Sequence, residues 1–223
     1  LVKASDGYHL WSQRFDREIT DIFAIQDEIS QAIAEKLRVR FSGQNRPVRR
    51  HTQNVEAYNL YLKGRHQFYR ATWESERKSK QHYEQALALD PDYALPWYGL
   101  AKYFWWTGYA GLMPPKTANA QSSQALRKAL DLDETLPEAH AMLGLLRGVE
   151  YDLEGAEREF RTALDLSPKS DEVLINYTAF LLFAQRLDEA FSTIRKALEL
   201  DPLSLILQHF FALHQYFRRQ WDE

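Results

Sequence analysis

The chain contains no cysteine, so disulfides, thiolate metal sites and cysteine nucleophiles are excluded. Glycine (9) and proline (8) are sparse among 223 residues. A fold of many short strands and turns needs more breakers than that, so long helices are favoured. Neither sign of charge dominates: 28 Lys and Arg against 31 Asp and Glu leave a formal net charge of −3. No global field therefore draws the chain to nucleic acid or an anionic membrane. Long apolar runs are also missing. In Ala94–Met113 the only charge is Lys102, but Pro96, Gly99 and Gly108 interrupt it as a membrane span. Lys3, Asp6 and His9 break any signal-peptide core. The chain lacks an initiator Met and stops at Trp221-Asp222-Glu223 within a helical pattern, which predicts a fragment. What is abundant is aromatic: 12 Tyr, 12 Phe and 6 Trp, a load that needs a reason.

Catalytic constellations are missing as well. The seven His form no His-Glu-x-x-His pattern, and His209 and His214 lie five apart, off a common helix face. Asp131, Asp133 and Glu134 begin like a calcium loop, but Leu136 and Pro137 follow without a loop glycine, so the segment is read as a helix end. There is no glycine-rich phosphate loop and no serine elbow. The expectation is no catalytic residue, no metal, no cofactor and no enzymatic activity.

The chain repeats itself. Counted from Pro137, the segment Pro137–Ser170 has Leu143-Gly144, Ala156, Phe160, Ala163 and Pro168 at positions 7, 8, 20, 24, 27 and 32. The next block, Asp171–Ser204, puts Tyr177, Thr178, Ala190, Ile194, Ala197 and Pro202 at the same positions. Small residues at positions 8 and 20 let two antiparallel helices approach, large apolar residues fill between units, and proline stops the second helix. One such unit cannot bury its own apolar face, so the units must stack.

This pattern resembles the tetratricopeptide repeat family. The same frame reaches back to Ala94–Leu136, with Trp97, Leu100-Ala101, Phe104, Ser122, Leu126 and Ala129. Nine extra residues fall there around Thr107–Thr117, and Glu134 stands where Pro is expected. It also reaches Ala57–Tyr93, with Gly64, Ser79, Tyr83, Ala86 and Pro91 and three extra residues near Ala71–Glu74; Lys63 and Gln67 depart from the apolar choices there. Leu205–Glu223 reads as half of a fifth unit. The resemblance implies an all-α, right-handed solenoid with repeats 57–93, 94–136, 137–170, 171–204 and a partial 205–223.

The first residues differ. Leu1–Ser5 and Tyr8–Phe15 flank Asp6-Gly7, a hairpin signal. Ile22, Ile25, Ile29, Ile33 and Leu37 then form one stripe of a helix over Glu18–Phe41. The text from Gly7-Tyr8-His9-Leu10-Trp11-Ser12 through Asp21 to Ile29 resembles the end of a TolB-like amino-terminal domain. Such domains precede these repeats in bacterial adenylate cyclases, winged-helix regulators and Ser/Thr kinases. Residues 1–41 are thus expected to be a domain remnant and 42–56 a linker. From Lys36 to Arg50 there are six bases (Lys36, Arg38, Arg40, Arg46, Arg49, Arg50) and no acid, whereas Asp131–Glu172 holds 12 acids against 4 bases. Nucleic acid is not the expected partner.

Partner binding is expected on the concave side, which the resemblance assigns to positions 2, 5, 9, 12 and 13 of each first helix. Those are Tyr58, Tyr61, Arg65, Phe68 and Tyr69; then Leu95, Tyr98, Lys102, Trp105 and Trp106; then Glu172, Ile175, Ala179, Leu182 and Phe183. Tyr61, Phe68, Tyr98, Trp105 and Trp106 are expected to be partly exposed, with Arg65 and Lys102 a positive spot for an acidic ligand. An apolar patch of this size binds something or is covered. Three occupants compete: a partner peptide or protein, the chain's own Glu18–Phe41 helix or Thr107–Thr117 insertion, and a second copy. The chaperone-binding clamp of some family members needs Lys and Asn where this chain has Tyr61 and Arg65, so that partner class is rejected. The expected role is a non-catalytic interaction scaffold, the regulatory arm of a larger bacterial signalling protein. The alternatives are the regulatory portion of a nucleotide cyclase or kinase, or a transcription regulator's effector domain. A cytoplasmic location is favoured, with a parent that can be membrane-tethered.

Overall fold

The computed structural model describes residues 51–70, 72–203, 207–212 and 215–216. The expected hairpin, the Glu18–Phe41 helix and most of the basic linker lie outside them. Among the described residues every regular element is a helix. In chain order these are α1 (Val55–Phe68), α2 (Trp73–Leu89), α3 (Ala94–Tyr109), α4 (Pro115–Leu132), α5 (Pro137–Val149), α6 (Leu153–Leu166), α7 (Asp171–Phe183) and α8 (Leu187–Leu200). No helix among them is long and apolar enough to cross a membrane.

The breaks fall where local chemistry puts them. Helix α2 ends at Leu89 and α8 at Leu200, each before Asp-Pro, and α6 ends at Leu166 before Ser167-Pro168. Where Pro is missing, after α4, Asp133 does the same work. Its Oδ1 accepts from the Thr135 backbone N–H at 3.0 Å and from the Thr135 hydroxyl at 2.8 Å, an Asx turn that leads the chain into α5. Thr72 caps α2 reciprocally with Ser75, and Asp152 and Ser170 cap α6 and α7. The nine-residue insertion lengthens two helices instead of forming a long loop: α3 runs on to Tyr109, α4 starts at Pro115, and only residues 110–114 turn between them.

Rings from α2 and α6 pack against glycines of the first helices. The buried Tyr83 of α2 lies between two glycines of successive first helices. A Cβ on Gly64 of α1 would stand 2.5 Å from its ring, and a Cβ on Gly99 of α3 would also stand 2.5 Å away, on the other side. Phe160 of α6 fills the same role against Gly144 of α5 and stacks on Phe180 of α7 at 5.1 Å. The close-contact positions read from the repeat frame, Ala156, Ala163, Ala190 and Ala197, are all buried.

Between α5 and α6, His140 Nδ1 meets Glu159 Oε2 at 2.8 Å and His140 Nε2 meets the Glu134 carbonyl at 2.9 Å. The Glu159 carboxylate holds the imidazole above its ordinary value of 6.5, more than burial lowers it.

Two outcomes are expected. Gly99→Val should cost about 1–3 kcal/mol, because Tyr83 cannot retreat from a new methyl group when Gly64 backs it; Tyr83→Phe, which keeps the ring, should cost much less, and urea midpoints compare the two. The His140 contribution is fully present below pH 6.5 and fades as pH rises through the raised folded value. Unfolding free energy should therefore fall with rising pH from that point, and His140→Gln should flatten that part of the curve.

Candidate functional site

A cleft of about 860 Å³ opens on the first helices of the pairs. Phe68 and Tyr69 reach it from the end of α1, and Tyr98, Lys102, Trp105, Trp106 and Tyr109 from successive turns of α3. Helix α5 contributes Glu138, Met142 and Leu145; α7 contributes Asp171, Glu172, Ile175, Asn176 and Ala179; Arg65, Glu76, His209 and Phe210 also line it. A smaller cavity of about 240 Å³ shares Arg65, Lys102 and Glu172 with it and runs to Tyr61 and Tyr83.

At the centre is a charged pair held by rings. Lys102 Nζ lies 2.5 Å from Glu172 Oε1, and the Tyr98 hydroxyl donates to the same oxygen at 2.5 Å. The ammonium sits 5.1 Å from the Phe68 ring centroid, 5.1 Å from Tyr69 and 5.6 Å from Tyr98. That is a three-ring cage around a cation. Burial alone would raise the Glu172 carboxyl and lower the Lys102 amine. Their mutual attraction outweighs it, holding Glu172 below and Lys102 above their usual ranges. Burial, then the Glu172 charge, pushes the Tyr98 phenol far up.

The contact spans two repeat steps. Lys102 is on α3 and Glu172 on α7, and a solenoid unit ordinarily touches only its neighbours.

Of the residues expected on the concave side, Arg65, Phe68, Tyr69, Tyr98, Lys102, Trp105, Trp106, Glu172, Ile175 and Ala179 line this cleft. Tyr61 and Leu95 line only the smaller cavity, and Tyr58, Leu182 and Phe183 line neither. Tyr58 packs on the core around Tyr61 and Tyr93, Leu182 on the core around Phe160, and the Phe183 ring meets Tyr151 at 5.9 Å. Phe68, Trp105 and Trp106 are half-buried. Tyr61 and Tyr98, expected to be partly exposed, are each only 7% exposed. Tyr61 is packed against Tyr83 and Tyr93, at centroid distances of 6.0 and 5.5 Å, while Tyr98 is drawn under Lys102 by its bond to Glu172. The positive spot is also corrected, since Glu172 neutralises Lys102.

Glu76, Tyr109, Glu138, Asp171 and Phe210 also line the cleft, outside the expected set. The position rule reaches Glu138 once it is applied to Pro137–Ser170. Tyr109 comes from the insertion and Glu76 from a second helix, so no position rule could name them. Tyr109 stacks on Trp105 (5.4 Å, 11° between planes) and remains 74% exposed. The insertion thus extends the cleft wall and does not fill the cleft. Glu76 is only 4% exposed; burial raises its carboxyl, and the neighbouring Trp106 indole pulls the other way.

Removing one member of the Lys102–Glu172 pair strands the other. Glu172→Gln should cost about 2 kcal/mol, the scale of a hydrogen bond to a charged group. Lys102→Met combined with Glu172→Leu should recover much of that loss. Chemical denaturation of the two variants tests the coupling.

No protein-family model matches the chain. It is 27% identical over 149 residues to the transcriptional regulator HilA of Salmonella typhimurium, covering 67% of this chain and 27% of that protein. It is 28% identical over 162 residues to the putative adenylate cyclase 3 of Rhizobium meliloti, covering 70% and 27%. The chain thus spans about a quarter of the length of these curated relatives. Among solved structures, TTC0263, a tetratricopeptide-repeat protein of Thermus thermophilus, superposes with a TM-score of 0.60 at 20% identity, over 87% of this chain and 94% of that one. Human IFIT1, in its dimer with m7Gppp-AAAA, gives 0.62 at 21% identity, over 86% and 40%. The fold of the described residues is that of a tetratricopeptide-type helical solenoid.

Proposed function

We propose that this chain is a non-catalytic protein-interaction module whose aromatic cleft receives a segment of a partner protein, as the regulatory arm of a larger bacterial signalling protein. The carrying observation is the Trp105–Trp106–Tyr109 group. Its rings lie 5.4 and 5.7 Å apart, and Tyr109 is mostly exposed at the cleft wall. Large flat side chains left accessible in a concavity are the usual anchors of peptide recognition. The names of the bacterial relatives, a transcriptional regulator and a putative adenylate cyclase, support a regulatory setting. In that setting the module occupies residues 57–223, in repeats beginning at 57, 94, 137, 171 and 205, behind a domain remnant over 1–41 and a linker over 42–56. If the parent is an enzyme, its chemistry resides elsewhere and this arm regulates it. The human IFIT1 dimer is described with m7Gppp-AAAA. Here Glu76, Glu138, Asp171 and Glu172 line the cleft and oppose a phosphate backbone.

A phage-displayed random peptide library panned against the full chain tests the reading. Selected peptides should lose about 2 kcal/mol of affinity on Trp105→Ala or Trp106→Ala, with only a small drop in the thermal unfolding midpoint from the packing Trp105 makes on the core. Peptides indifferent to both substitutions, or a large drop in midpoint, would assign these indoles to the core.

A further inference from the structure

The cleft carries a charge preference as well as apolar surface. It already seats one cation: the Lys102 ammonium lies over Phe68, Tyr69 and Tyr98 and against the Glu172 carboxylate. That cage is a built environment for positive charge, since ring faces and a carboxylate both attract it. Once Lys102 and Glu172 cancel, three lining carboxylates remain, Glu76, Glu138 and Asp171, against the guanidinium of Arg65. None of the three is ion-paired among the described residues. Glu138 Oε1 accepts from the Ser170 hydroxyl at 3.1 Å, Asp171 Oδ1 accepts from the Glu172 backbone N–H at 2.8 Å, and Glu76 meets the Trp106 indole. Arg65 lies over the Tyr61 ring at 5.9 Å and beside Tyr69, and it lines both the smaller cavity and the cleft.

Resting on the reading of the cleft as a partner site, we infer that its occupant is a basic, apolar-interleaved peptide segment. Its Lys or Arg side chains stack on Trp105, Trp106 and Tyr109 and answer Glu138 and Asp171. The complementarity comes from two separate features. The aromatic stack is indifferent to the sign of charge on a backbone but favours a cation over its faces. The carboxylates exclude acidic segments by like-charge juxtaposition. Arg and Lys also carry apolar stems that cover ring surface while their heads stay near water, which suits a cleft whose aromatics are half-buried.

Three end-blocked peptides of equal length and equal leucine content decide the matter, their polar positions filled with Lys, Glu or Ser. Each is titrated by calorimetry into the full chain and into its Trp105→Ala and Glu138→Gln/Asp171→Asn variants. The lysine peptide should bind roughly tenfold or more tighter than the serine peptide, the glutamate peptide most weakly, and added salt should narrow the gap. The double charge variant should bring the lysine-to-serine ratio close to one while the circular dichroism melt stays that of the parent. Preference for the glutamate peptide, or a lysine preference that survives the double variant, would overturn the inference. If all three peptides bind equally and Trp105→Ala abolishes them, the partner-site reading stands and the charge preference is wrong. If none binds, or Trp105→Ala changes nothing, both fall. A concentration-dependent dimer in sedimentation that Trp105→Ala dissolves would make a second copy the occupant and would likewise overturn it.

Discussion

The structure depends on one steric arrangement: an aromatic ring from a second helix standing where two first helices offer no side chain. Tyr83 fits between Gly64 and Gly99 because neither has a Cβ. Phe160, two units further on, uses half of this arrangement, packing against the single glycine Gly144 and stacking on Phe180. A flat ring seated this way fixes both the distance and the rotation between successive helix pairs. The rest of the core is mostly Ala, Leu and Tyr, with Met142, Val173, Phe180 and Ile194. Each ring touches its own pair and the next, so register passes along the chain by contact alone, as a stacked-repeat protein requires.

That spacing is what brings α3 and α7 close enough to share a charged pair. Lys102 and Glu172 are 70 residues apart and meet across the intervening repeat. The ring cage and the Tyr98 hydroxyl offset the cost of desolvating the two charges, and the pair then ties non-adjacent repeats together. The concave side is therefore a polar clasp flanked by aromatics and not a uniform apolar trough. Its open part is the Trp105–Trp106–Tyr109 end.

The insertion between α3 and α4 acts on this site. By lengthening α3 to Tyr109 it adds a turn beyond Trp106 and places one more ring on the wall. Ser122 anchors the longer partner helix, donating from its hydroxyl to the Ala101 carbonyl at 2.9 Å. The extra residues are thus a local extension of the surface that the proposed partner uses.

The sequence by itself determined the helix pairs, their order and their close-contact positions. Those follow from local rules: Asp-Pro stops, small residues at fixed offsets, apolar residues on one helical face. It also named about half of the residues that line the cleft, because positions 5, 9, 12 and 13 of a first helix share one side. Only the tertiary structure decided which of these residues stay accessible. Tyr61 and Tyr98 lie on the predicted side yet are buried, because rings of its own repeat close over Tyr61 and a carboxylate two repeats away holds Tyr98. Phe183 lies on that side and misses the cleft, because Tyr151 at the α5–α6 turn takes its ring. Glu76 and Tyr109 join the cleft from a second helix and an insertion, where no periodicity points. The sign of the site was likewise beyond reach, since Lys102 reads as a free cation until the fold sets Glu172 against it. Periodicity constrains residues within one helix. Charge and exposure in a cleft depend on contacts between helices that are distant in sequence.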